Sequence, residues 1–151
     1  MPKQKKTALM TAVDIIARRE TSEANLIDKL KRKAFDERDI TGAVAKLKEM
    51  NYLNDKAAAR RQFEFLYNES KSSVREIVLK LMRRGFTRED INAAIPDAKD
   101  RDTREIAAAL KSLRLKYKKT AEPIKMKAYL YRHGFSMDVC SSAVEEFLSE
   151  D

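Results

Sequence analysis

The sequence predicts an all-α protein, an elongated array of three tandem three-helix units with about nine helices, and three observations carry that prediction. Only three glycines and three prolines occur in 151 residues, too few for a sandwich or a loop-rich fold. Ala, Leu, Lys, Arg and Glu, all strong helix formers, dominate the composition. Lastly, LMRRGF at residues 81–86 is echoed by LYRHGF at 130–135 and more faintly by LKRKAF at 30–35. A self-similarity of about 50 residues is the mark of a repeat architecture, whose units bury their apolar faces by stacking.

Setting Phe35, Phe86 and Phe135 in one column fixes the register. Leu30, Leu81 and Leu130 then align, as do Ile40, Ile91 and Cys140, and Val44, Ile95 and Val144. Each column is apolar, as a shared core position requires. The register divides the chain into a basic tail at 1–7 and triplets at 8–53, 54–98 and 99–151.

In the first triplet Leu9, Val13 and Ile16 mark one helical face; Ser22 is placed to cap a second helix carrying Leu26 and Leu30; Asp36 is placed to cap a third with Ile40, Val44 and Leu47. Tyr52 and Leu53 are expected to close the first core, and Asn54 or Asp55 to cap the next helix. Ala59, Phe63 and Leu66 line the fourth helix, Ser73 and Glu76 form a capping box for the fifth, and Thr87 caps a sixth that Pro96 cuts short. Ile106, Leu110, Leu113 and Tyr117 give the seventh its stripe, Pro123 suits a first helical position, and Ser136 caps the last helix. Gly85 and Gly134 fall where a helix ends on a left-handed residue, with the following Phe folded back onto the helix it leaves.

The net charge of +8 and pI of about 9.6 point to an anionic partner such as nucleic acid or a nucleoprotein. Within 111–134, Lys111, Arg114, Lys116, Lys118, Lys119, Lys125, Lys127 and Arg132 stand against Glu122 alone, 8 − 1 = +7. A cation or two near a helix C-terminus complements the dipole. Lys29, Arg32 and Lys33, then Lys80, Arg83 and Arg84, then Lys125, Lys127 and Arg132 exceed that need, and with Lys116, Lys118 and Lys119 they form the candidate binding face.

Nothing in the chain has the pattern of a catalytic or metal site. The single histidine, His133, lacks a nucleophile motif, and no HExxH, P-loop or GxGxxG string occurs. Cys140 sits in an apolar column, as a small core residue does, and one cysteine forms no internal disulfide. No cofactor or metal is expected. No run approaches a membrane span and MPKQKKTALM leads into no signal sequence, so a cytoplasmic monomer is expected.

Tyr52, Leu53, Asn54 and Asp55 match the G-Y-L-N/D-D string, and Arg19, Ser22, Leu26, Lys29 and Leu30 the R-x-x-S-x-x-E-L-x-x-K-L pattern, of the RecX family, which the chain resembles from about residue 8 to 149. IKMKAYLYRHGF resembles the corresponding late segment of that family. Asn51, Asn25 and Ala34 depart from the family's glycine, glutamate and glycine; Asn accepts a left-handed backbone more readily than most residues. The resemblance implies a non-enzymatic regulator that binds the RecA filament on single-stranded DNA, directly or through the filament, and restrains its ATP hydrolysis and strand exchange. A helical nucleic-acid binder acting alone is the competing reading, although no helix groups Asn, Gln and Arg on a base-reading face.

Overall fold

The structure, a computed structural model, describes residues 5–69 and 71–151. Among these residues there are nine helices and no strand: α1 (Ala8–Arg18), α2 (Glu23–Arg32), α3 (Glu37–Glu49), α4 (Asp55–Glu69), α5 (Val74–Arg83), α6 (Arg88–Asn92), α7 (Ala98–Lys116), α8 (Pro123–Arg132) and α9 (Met137–Ser149). Their packing defines two compact units. One groups Met1–Arg61 with Leu81–Ala93, the other Gln62–Lys80 with Ala94–Asp151, so α4 and α5 contribute to both.

In the first unit, Ala12, Leu26, Leu30, Ile40, Val44, Leu47 and Leu53 form a buried cluster, with Leu9, Ile15, Ile16 and Phe35 against it. The inward face of α1 is rotated from the expected one. Ala12 is fully buried while Val13 is 45% exposed, so the stripe runs through Leu9, Ala12 and Ile16, and a small residue lets α1 approach its neighbours closely. The core of the second unit joins Ala109, Leu110 and Leu113 of α7 to Met126 and Leu130 of α8 and to Val139, Cys140, Val144 and Phe147 of α9. Ile106 and Tyr117 pack on its edge.

The helix starts follow from hydrogen-bond chemistry. Thr7, Ser22, Asp36, Thr87 and Ser136 each accept from the amide three residues on, at 2.8 to 3.2 Å. Asn54 Oδ1 accepts from the Ala57 amide at 3.2 Å and so caps α4. Each of these satisfies an amide that the helix itself leaves without a partner. α6 ends at Asn92, ahead of Pro96, which leaves Ile95 half-buried beyond the helix.

The three second helices end alike. Phe35, Phe86 and Phe135 donate their amides to Leu30, Leu81 and Leu130, while Ala34, Gly85 and Gly134 donate to Lys31, Met82 and Tyr131. This is the Schellman pattern, which requires a left-handed residue. The φ angles are 66° at Ala34, 93° at Gly85 and 91° at Gly134, and Asn51 closes α3 in the same region at 59°.

Candidate interaction surface

Two sets of residues are candidates for function: the contacts in which Ser22 and Ser73 join one helix start to another helix end, and the basic side chains. In the first unit the Ser22 hydroxyl, while capping α2, donates to the Arg84 carbonyl at the end of α5 at 2.5 Å. In the second unit Ser73 caps α5 through the Glu76 amide at 3.1 Å and donates to the His133 carbonyl at the end of α8 at 2.6 Å. One hydroxyl thus serves a helix start and a helix end together. A carboxylate completes each seat: Asp55 accepts from the Glu23 amide at 3.0 Å, and Glu105 from the Val74 amide at 3.0 Å. Burial pushes both carboxyl groups above the usual carboxylate range, opposed by those amide bonds and, at Glu105, by Arg104.

Arg104 ties the second unit further. Its guanidinium donates to the carbonyls of Tyr67 at 2.9 Å and Ser72 at 2.6 Å, pairs with Glu105 at 2.8 Å, and lies 4.6 Å from the centre of the Tyr67 ring. Sequence inspection missed this knot. An Arg-Glu pair inside a helix reads as a solvated face, and only packing reveals that both side chains are nearly enclosed. The Ser73 and Glu76 capping box is likewise only half of what forms: the Ser73 hydroxyl caps as expected, whereas the Glu76 carboxylate lies 2.7 Å from His133 Nδ1.

Eleven of the twelve basic candidates are exposed. In the first unit these are Lys29, Arg32, Lys33 and Arg83, with Arg84 half-buried; in the second they are Lys80, Lys116, Lys118, Lys119, Lys125, Lys127 and Arg132. The Lys116 ammonium lies 4.3 Å from the centre of the Tyr129 ring. Tyr129 in turn meets Tyr117 edge-on at 5.7 Å and His133 at 4.3 Å, an aromatic cluster beside a cation. Among the family-motif residues the expectation for Tyr52 fails. Leu53 is in the core, but Tyr52 is 62% exposed and borders a cleft of about 160 Å³ with Ile16, Ala58 and the Glu20–Arg61 ion pair. Its amide closes the turn by donating to Leu47, and the same left-handed turn that seats Leu53 inside leaves the Tyr52 ring outside.

Among the described residues no group of His, Cys, Asp and Glu has the arrangement of a metal site, and no helix is long and apolar enough to cross a membrane. The fold and these seats define a helical repeat protein with a basic exterior. The profile of the RecX first three-helix domain matches residues 8–47. The regulatory protein RecX of Caldanaerobacter subterraneus subsp. tengcongensis is 31% identical over 142 residues, spanning 92% of this chain and 70% of that protein. RecX of Chlorobaculum tepidum is 26% identical over 98% of this chain and 92% of its own length. The crystal structure of RecX from Lactobacillus salivarius superposes with a TM-score of 0.78 at 20% identity, over 93% of this chain and 94% of that one. The chain belongs to the RecX family of regulatory proteins.

Proposed function

We propose that the protein binds the RecA filament on single-stranded DNA and restrains its ATP hydrolysis and strand exchange, acting in recombinational DNA repair and the SOS response. Family membership across nearly the whole chain is the observation that carries this reading. The exposed cations at successive helix ends supply the means, since a helical polymer presents the same acidic or phosphate surface at regular intervals to a protein built from repeats. On this reading the protein is a cytoplasmic monomer, organised as triplets 8–53, 54–98 and 99–151, that works by binding and not by catalysis.

The test is ATP hydrolysis by the cognate recombinase on single-stranded DNA with increasing amounts of this protein. The rate should fall to a plateau. Replacing Arg83, Arg84 and Arg132 by Ala should weaken inhibition while circular dichroism stays unchanged, because an arginine fork engages carboxylates or phosphates bidentately. An unchanged hydrolysis rate at saturation, together with tight binding to bare DNA, would replace this reading by that of a nucleic-acid binder acting alone.

A further inference from the structure

The start of α8 breaks the docking chemistry that α2 and α5 share. At the repeat positions where those helices present Ser22 with the Glu23 amide and Ser73 with the Val74 amide, α8 presents Glu122 and Pro123. Glu122 has no hydroxyl to donate and Pro123 has no N–H, so neither bond of the seat forms here. The next position changes as well. Ala24 and Arg75 lie against the glycines of the following triplet, with Cβ atoms 3.2 and 3.1 Å from where a Cβ on Gly85 or Gly134 would fall. Their counterpart is Ile124, which is 73% exposed.

Ile124 begins a stripe. Residues four and seven further on share its helical face, and these are Ala128 and Tyr131, both exposed, Tyr131 to 59%. Met126, Tyr129 and Leu130 take the opposite face into the core and its edge. By the same periodicity Lys127 flanks the stripe on one side and Lys125 and Arg132 on the other, all exposed. The counterparts of Ala128 and Tyr131 in α5 are Leu79 and Met82, exposed to 43% and 40%. An apolar outer stripe therefore recurs in the second and third triplets, whereas α2 carries Asp28 and Lys31 there.

We propose that the outer face of α8, Ile124, Ala128 and Tyr131 between Lys127 on one edge and Lys125 and Arg132 on the other, seats a partner protein through an apolar pocket edged with carboxylates. The inference rests on the filament-binding reading and assigns this face to the protein component of the filament. The charge asks for an acidic partner, and a nucleic acid would meet that alone. The aliphatic anchor favours protein, because Ile124 offers neither a hydrogen bond to phosphate nor a ring to a base; Tyr131 does carry a ring, so its substitution tests stacking on bare DNA. An apolar anchor ringed by complementary charge is the form that protein hot spots take.

The experiment uses the full chain and two variants, Ile124→Glu and Tyr131→Ala, each checked by circular dichroism and melting temperature. Binding is measured to the recombinase filament on single-stranded DNA and to the same bare DNA. Both variants should melt as wild type, lose about tenfold or more in filament affinity, and keep wild-type affinity for bare DNA. If wild type binds the filament and both variants bind it equally well, the face is wrong and the filament reading stands. Equal losses on bare DNA would make the face a nucleic-acid contact and overturn the assignment to protein. A wild-type protein that does not bind the filament at all would remove the reading on which the inference rests.

Discussion

Gly85 and Gly134 answer to two constraints where Ala34 answers to one. All three have positive φ, but a Cβ on Gly85 would fall 2.4 Å from the Ser22 hydroxyl oxygen, and one on Gly134 2.7 Å from that of Ser73. Left-handed backbone alone disfavours a side chain by about 1 to 2 kcal/mol, and the serine adds a steric collision. Gly85→Ala should therefore destabilise by more than that, while Ala34→Gly should stabilise by about 1 kcal/mol. A thermodynamic cycle separates the two terms. Ser22→Gly keeps a tolerable cap residue and removes the hydroxyl, so the double variant Ser22→Gly with Gly85→Ala should be more stable than the sum of the single effects. Strict additivity in urea melts would show that the serine does not press on the glycine. The left-handed role of these glycines was legible in the sequence; the second constraint was not, because it comes from a residue in the preceding triplet.

At the scale of the helix, the leucine column and the column of Ile40, Ile91 and Cys140 hold, while Ile95 leaves its column half-buried beyond α6. Leu30, Leu81 and Leu130 are all fully buried, and Ile91 and Cys140 nearly so. Leu81→Ala should accordingly destabilise by about 2 to 5 kcal/mol through lost burial and a residual cavity, read as a lower denaturation midpoint with an unchanged slope. A midpoint like that of the parent would displace Leu81 from the core. Caps were readable because the capping atom and its amide lie three residues apart, a spacing visible in sequence, and five of the serine, threonine and aspartate caps form through those atoms. The rotation of α1 was not readable, since Ala12 and Val13 are both apolar and only the closeness of neighbouring helices selects the smaller. Tyr52 misled for a related reason: beside Leu53 it reads as core, yet consecutive residues leaving a turn point to different sides.

For the molecule as a whole, the packing runs across the sequence repeats, and its titration behaviour follows from the seats. Asp55 has its pKa raised chiefly by burial, so the folded state holds the proton more tightly than the unfolded chain does. Its contribution to stability is then fully present below the ordinary carboxylate value of about 3.9 and is lost as pH rises through the higher folded value. Asp55→Asn keeps an oxygen to accept from the Glu23 amide and does not titrate. The melting temperature of the variant relative to wild type should therefore rise between pH 4 and pH 7. A difference that is flat, or that falls, would mean the carboxylate is well solvated or favourably paired. The basic candidates were readable as residue types and as exposed helix-end positions, but charge alone does not distinguish a phosphate contact from a carboxylate contact. The proposed role of α8 turns on Ile124, and a single isoleucine in a helix reads as core until its exposure in the fold is seen.

The shared serine also has a consequence for heredity. The Ser22 hydroxyl touches the last turn of α5 and the Ser73 hydroxyl that of α8, so each serine and the distant glycine it faces form one steric pair. Neither member drifts freely. A lineage that gives up the glycine gains room only by giving up the serine, and one that keeps the serine keeps the glycine. Across descendants of this gene the two codons should be inherited as if adjacent, while the codon for Ala34, which is exposed, is free of that pairing.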